Sequence, residues 1–173
     1  MSWTVRALAS AALLVSVDVS AAMRADYQFQ GGYASTVAGA PTLTPNTGGQ
    51  TFATDNVLGQ SRTVLNFPAG AGLTLSPVSS LGAGSVYTIA MLARVNQVNG
   101  YRKLLDFKNR SSDNGLYTYD GLLDFFNFVI GPDALIGAGT YHHIVVTRDA
   151  AGTVSGFVDG SLQFSFSDGG GAA

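Results

Sequence analysis

Tyr117 and Tyr119, separated by one residue in Leu116-Tyr-Thr-Tyr119, are placed to hold a ligand. Side chains alternate between the two faces of a strand, so this spacing brings both phenol rings to one side. Flat apolar rings beside polar groups suit a sugar, whose C–H face stacks and whose hydroxyls fix its orientation. The same spacing also places two aromatics on a buried core face. Arg102, Lys103 and Asp106 lie upstream and rim the same surface if their strand is its neighbour. A second chemistry sits in Asn109-Arg-Ser-Ser-Asp-Asn-Gly115, which offers carboxylate, amide and backbone oxygens of the kind calcium takes. Asp113 and Asn114 are the candidate ligands there, although Asp-Asn-Gly is equally an ordinary turn signal and the spacing of an EF-hand loop is missing.

Residues for bond cleavage are harder to assemble. Retaining glycoside hydrolysis needs two carboxyl groups about 5 to 5.5 Å apart, and the chain has no glutamate. Asp120 and Asp124, the nearest pair within one expected strand, would stand roughly 13 Å apart at about 3.3 Å per residue. No serine occupies a Gly-x-Ser-x-Gly elbow. Cysteine is absent, which removes disulfides, zinc thiolates and thiol nucleophiles. The Gly-x-Gly pairs beginning at Gly70, Gly82 and Gly137 lack the third glycine of a dinucleotide loop and read as turns. His142 and His143, the only histidines, point to opposite faces as strand neighbours and do not share a metal. The expectation is that His143 packs or hydrogen-bonds internally while His142 faces the other way.

The elements that must position these residues are short strands. In Tyr141-His-His-Ile-Val-Val-Thr-Arg-Asp149, Ile144 and Val146 share one face, and His143, Val145 and Thr147 the other. Asp149-Ala-Ala-Gly152 is a turn, and Thr153 to Val158 is a returning strand on which Val154 and Val158 oppose Phe157. Asp159-Gly160 turns the chain again before the alternating Leu162-Gln-Phe-Ser-Phe166. Tyr87, Ile89, Met91, Ala93 and Val95 alternate through a strand long enough to be central, with one face buried and the other partly covered. Further strands are expected at Thr51 to Thr54 ahead of a loop at Asp55-Asn56, at Arg62 to Phe67, Leu73 to Leu75, Leu104 to Phe107, Leu116 to Tyr119 and Leu122 to Phe128. Gly31 to Gly49, with Pro41 and Pro45, reads as a long loop with a short edge strand near Leu43. This spacing argues for two antiparallel sheets packed face to face.

The hairpin residues Tyr141, His143-Ile-Val145, Thr147-Arg-Asp149 and Phe157-Val-Asp-Gly160 resemble the laminin-G-like branch of the concanavalin A-like lectin and glucanase superfamily. There an aromatic-x-His-hydrophobic strand, a turn and a strand ending in Val-Asp-Gly recur together. Ser85 to Arg94 is similar to the family's central strand, and Asp26-Tyr-Gln-Phe-Gln30 to its opening one; Arg102 to Phe107 and Asp113 to Tyr117 add to the likeness. The resemblance spans residues 26 to 168 and is most specific in its last third. It implies a jelly roll that binds glycans or cell-envelope surfaces, with calcium near a loop rim. Members range from lectins to glucanases, so the likeness carries a fold more than an activity. Related jelly rolls continue with further strands where this chain has the low-complexity tail 169 to 173. The sandwich is therefore expected to lack its final strands, and the unpaired edges to favour self-association.

Residues 1 to 25 read as a secretory leader: a short lead carrying Arg6, the apolar run Ala7 to Val17, and small residues offering cleavage after Ala21 or Ala25. The run of 11 residues is too short to cross a bilayer as a helix, and a buried amphipathic helix is the alternative reading. One domain of about 150 residues would remain after cleavage. Nine basic residues against eleven acidic ones show no basic stripe, so nucleic acid is not an expected partner. These features together predict a secreted or periplasmic, non-catalytic recognition or adhesion module for glycan or cell-surface ligands. Its alternatives are a structural or assembly protein of the envelope or matrix and, less favoured, a polysaccharide hydrolase.

Overall fold

The structure is a computed structural model that describes residues 22–82 and 84–173. The expected leader falls for the most part outside the described residues. In chain order the strands are β1 (Thr44–Pro45), β2 (Thr51–Val57), β3 (Gln60–Asn66), β4 (Leu73–Thr74), β5 (Tyr87–Arg94) and β6 (Tyr101–Asp106). They continue with β7 (Gly115–Tyr119), β8 (Leu122–Phe126), β9 (Val129–Ile130), β10 (Tyr141–Arg148), β11 (Thr153–Val158) and β12 (Ser161–Ser167). Apart from one 3-10 turn at Val78–Leu81, the regular structure described is all β. One antiparallel sheet runs β12-β11-β10-β5 and a second runs β6-β7-β8-β9; β1 pairs with β4, and β2 with β3.

The two four-stranded sheets form a sandwich, because alternation gives each one apolar face to bury. Leu116, Leu123 and Phe125 from the second sheet meet Ile144, Val146, Val154, Val158 and Phe164 from the first, all at most 4% exposed. Phe125 is the hinge of this contact, with its ring 5.0 Å from that of Phe166, 5.7 Å from Phe107 and 6.3 Å from Phe164. Gly156 is required on β11 because a Cβ there would stand 2.3 Å from the Phe164 ring. Three hairpins close on two-residue turns whose central residues both have positive φ, Leu58-Gly59, Asp120-Gly121 and Asp159-Gly160, the twist that matches paired strands. At the longer turn after β10, Asp149 Oδ1 accepts hydrogen bonds from the Ala151 and Thr153 backbone N–H groups, as an Asx turn requires.

Several expectations are corrected. Asp26 to Gln30 form no strand; the Asp26 carboxylate accepts from the Thr36 hydroxyl and the Gln28 amide, and the Asp26 N–H donates to Ser35 Oγ, so side chains divert this segment from a ladder. Asp55 and Asn56 lie within β2 and not in a loop, since the turn falls at Leu58-Gly59. Asp120 sits in the turn between β7 and β8, off the strand that carries Asp124. The run expected through Phe128 ends at Phe126; the chain reverses at Asn127, which has φ 73°, and returns antiparallel as β9. β5 is an edge strand and not a central one, with one face half-buried and the other exposed along its length. The two histidines exchange the expected roles. His142 faces inward at 8% exposure, its Nε2 accepting the Gly137 N–H, so that Nδ1 carries the proton toward Asp159 Oδ2 at 2.7 Å, whereas the His143 side chain is exposed.

Burial is uneven along the chain. Among the described residues none before Gly115 is fully buried. The segment up to Thr74 is a half-exposed layer held by Tyr33 against Phe52 at 5.3 Å and by Asp55, whose Oδ2 takes the Tyr141 hydroxyl at 2.7 Å and the Arg94 guanidinium at 2.6 Å. The C-terminal tail, by contrast, is tied down. Asp168, 2% exposed, accepts from Arg148 Nε at 3.1 Å and from the backbone N–H groups of Ala172 and Ala173 at 2.5 and 3.2 Å, and Ala172 enters the core.

Burial alone would raise the Asp168 carboxyl, but the Ala172 and Ala173 N–H groups and Arg148 outweigh it and hold the carboxyl below its ordinary value. Its contribution is therefore complete above an unfolded value of 3.8 and is lost as pH falls through the lower folded value. Arg148→Met strands a buried carboxylate and should cost about 3–5 kcal/mol in chemical denaturation at neutral pH. That loss should shrink in acid below the ordinary carboxylate value. An unchanged denaturation midpoint at neutral pH would show that the clasp does not hold the fold.

Candidate functional site on the outer face of the second sheet

Register places the outward side chains of the second sheet in three rows. Tyr101, Tyr119 and Leu122 form the first; Lys103, Tyr117, Asp124 and Ile130 the second; Asp106, Gly115 and Phe126 the third. A bulge between Lys103 and Leu105 on β6 keeps Lys103 and Asp106 on this face while Leu105 turns toward the core opposite Leu116. The rings pack on one another. Tyr101 stacks on Tyr119 with centroids 4.3 Å apart, and meets Tyr117 and Phe126 edge-to-face at 5.9 and 5.4 Å. Tyr117 and Phe126 are 5.7 Å apart. Tyr117 is thereby 7% exposed, whereas Tyr101, on the edge strand, remains 48% exposed.

One end of this platform is polar. Lys103 Nζ donates to Asp106 Oδ2 at 2.8 Å, lies 3.5 Å from Asp113 Oδ1 and sits 5.0 Å above the centre of the Tyr117 ring. Asp113 Oδ1 also accepts the Tyr117 hydroxyl at 2.6 Å, and Asp106 Oδ1 takes the backbone N–H groups of Lys108 and Arg110. Burial by itself would lower the Lys103 ammonium, but its hydrogen bond to Asp106 and the neighbouring Tyr117 oxygen reverse that and hold it above the usual lysine value. Burial likewise pushes up the Asp106 carboxyl, and the Lys103, Arg110 and Lys108 donors bring it below the ordinary value. The Tyr117 hydroxyl, more than any other group, depresses Asp113. On the platform itself burial raises Tyr101, with the charges of Asp124 and Asp120 adding to it, and burial raises Asp124.

The expected site residues are therefore only partly gathered. Tyr117 and Tyr119 share the outer face, with Asp106 at its polar end. Arg102 belongs to the opposite parity, opposite Thr118, and its guanidinium is taken by the Tyr101 carbonyl and Gln97. Asp113 and Asn114 diverge: Asp113 turns to Tyr117 and Lys103, while Asn114 accepts from Asn127 Nδ2 at 3.3 Å. Among the described residues no group of three or more His, Cys, Asp or Glu gathers in a metal-binding arrangement. The Lys103 ammonium lies between Asp106 and Asp113, 2.8 Å from the one and 3.5 Å from the other. Tyr101, Asp124 and Phe126 were not expected here. Their signal was period-two spacing within β6 and β8, which becomes a site only once the register is known. No family model, curated protein or solved structure matches this chain.

If Lys103 fills the cation position, millimolar calcium should leave the thermal midpoint of the native protein unmoved. Lys103→Gln should melt several degrees lower, and calcium should restore part of that loss. A calcium-dependent rise in the native protein would instead place a metal beside Asp113.

Proposed function

We propose that this chain is an exported, non-catalytic recognition module that holds glycans of the kind found on cell-envelope surfaces against the outer face of its second sheet. Tyr101 carries the reading: a half-exposed ring stacked at 4.3 Å on Tyr119, giving a flat apolar surface on a strand, with Lys103 and Asp106 within the same sheet to orient hydroxyls. The laminin-G-like character of the hairpin from Tyr141 to Gly160 supports a jelly roll of the lectin kind, and the leader-like first residues support export. The lack of glutamate, with Asp120 in a turn and Asp124 buried, supports binding without cleavage. Release of reducing sugar from a bound glucan would reverse that part of the reading.

The test is a glycan-array screen followed by titration. Tyr101→Ala should weaken the strongest glycan by about tenfold, the worth of one good aromatic contact, while leaving the thermal midpoint near that of the native protein. Undiminished affinity in this variant, or silence across the array, would overturn the proposal.

A second reading, an assembly protein of the envelope or matrix, is favoured by the edge of β5. Eight residues, Tyr87 to Arg94, carry no charge before the last, and no strand pairs with their free side among the described residues. Pairing with a second copy would give a mass that rises with concentration in sedimentation, and Ala90→Lys, a charge on that edge, should return it to the monomer. A mass independent of concentration removes this reading.

A further inference from the structure

We propose that the glycan recognised on this face carries a free amino group, as in an amino sugar, and that the Asp124 carboxylate receives its ammonium. The inference rests on the glycan-binding reading above and names the ligand class for the same site. Asp124 lies at the middle of the platform, between Tyr117 and Ile130 across the strands and between Leu122 and Phe126 along its own. It is 5% exposed. Among the described residues its carboxylate has neither a hydrogen bond nor an ion pair.

Among the described aspartates only the exposed Asp133 shares that isolation, so Asp124 is the one that combines it with burial. The other buried carboxylate, Asp168, takes Arg148 and two backbone N–H groups; Asp106 takes Lys103, Asp159 takes His142 and Asp55 takes Arg94. Asp120, nearby, receives the Gly100 N–H. A carboxylate with little access to water and no protein donor is costly to keep charged, and a ligand that brings both a donor and a positive charge recovers part of that cost. The surroundings select for a cation as well. The π faces of Tyr101, Tyr117 and Phe126 attract positive charge, and Lys103, the lysine on this face, is already committed to Asp106 and Asp113. A neutral hydroxyl would give Asp124 a hydrogen bond without charge, and an N-acetyl group would replace the ammonium with a methyl-bearing amide. An amine on a pyranose ring joins the two requirements in one ligand, a flat face for Tyr101 and an ammonium for Asp124. Tyr101 is the ring that turns to admit it, because it stands on an edge strand and is held by ring contacts, with no hydrogen bond from its hydroxyl among the described residues.

Glucosamine oligomers, N-acetylglucosamine oligomers and cello-oligosaccharides of equal length are the probes, each titrated calorimetrically at neutral pH and physiological salt. The native protein should favour the glucosamine oligomer over both neutral ones by about tenfold or more, the scale of a charge-assisted contact. Asp124→Asn should abolish that preference while keeping neutral binding, and its melting temperature should not fall, since a buried charge is removed. Asp133→Asn, an exposed control, should keep the preference. Equal binding of all three oligomers by the native protein overturns the inference and leaves the glycan-binding reading standing, as does a preference retained in Asp124→Asn. Silence with every oligomer overturns both.

Discussion

The Arg148 and Asp168 clasp is the constraint on which the arrangement of the first sheet depends. Arg148 ends β10, Asp168 follows β12, and the guanidinium also donates to the Ser85 carbonyl ahead of β5 and to the Asp168 carbonyl. One side chain thus gathers three strand ends. Asp168 in turn collects the N–H groups of the tail and lays Ala172 on the core. The side chains of this pair are 14% and 0% exposed, so its charges are shielded from the water and salt that weaken surface pairs. Breaking it would leave the Asp168 charge with only the Ala172 and Ala173 N–H groups to offset its desolvation. A tail of glycines and alanines, with little side chain to pack beyond Ala172, is held chiefly by the Asp168 carboxylate.

The same accounting separates the two faces of the second sheet. Its inner face is apolar and joins Leu116, Leu123 and Phe125 to the opposite sheet, with Thr118 as the polar exception. Its outer face mixes four aromatic rings with Lys103, Asp106 and Asp124, and polar groups there are satisfied at one end and not at the centre. Lys103 neutralises Asp106 and Asp113; nothing comparable reaches Asp124 among the described residues. A face built only to be wetted would not bury Tyr117 to 7% under other rings, and one built only as core would not leave Tyr101 half-exposed. The combination is a packed aromatic layer with one ring left at its edge, the arrangement on which the proposed recognition of a flat ligand rests.

How much of this was legible in the sequence follows from which interactions are local. The hairpin from Tyr141 to Gly160 was readable because alternation and turn chemistry are both short-range, and the two Asp-centred turns formed where Asp149 and Asp159 stand. The placement of Tyr117 beside Tyr119 was readable for the same reason. The assignment of Arg102 to their face was not, since the bulge after Lys103 and the pairing of β6 with β7 decide which side each residue takes, and a one-residue shift reverses it. His142 and His143 illustrate the same point: alternation says that they part, but only Gly137 and Asp159, brought close by the fold, decide which one turns inward. β5 resembled a central strand because its apolar alternation is the same at an edge as in the middle, the difference lying in what else pairs with it.

The uneven burial also bears on where recognition is placed. Residues before Gly115 contribute half-buried side chains at best, and the layer containing β2 and β3 reaches the sandwich through Asp55, whose carboxylate is depressed first by the Tyr141 hydroxyl and also by the Arg94 charge. Such a layer has few apolar contacts to resist local opening, and a ligand held on it would have to bear the entropy of ordering it. The second sheet has no such cost on β7 and β8, whose inner side chains lie in the most buried part of the core. Rings mounted on those strands keep their geometry whether or not a ligand is present. Tyr101, by contrast, stands on the edge strand β6 and is half-exposed. A rigid platform with an edge-strand ring at its rim would bind without a large cost of ordering, which favours the sandwich core over the looser layer that precedes it as the seat of the proposed recognition.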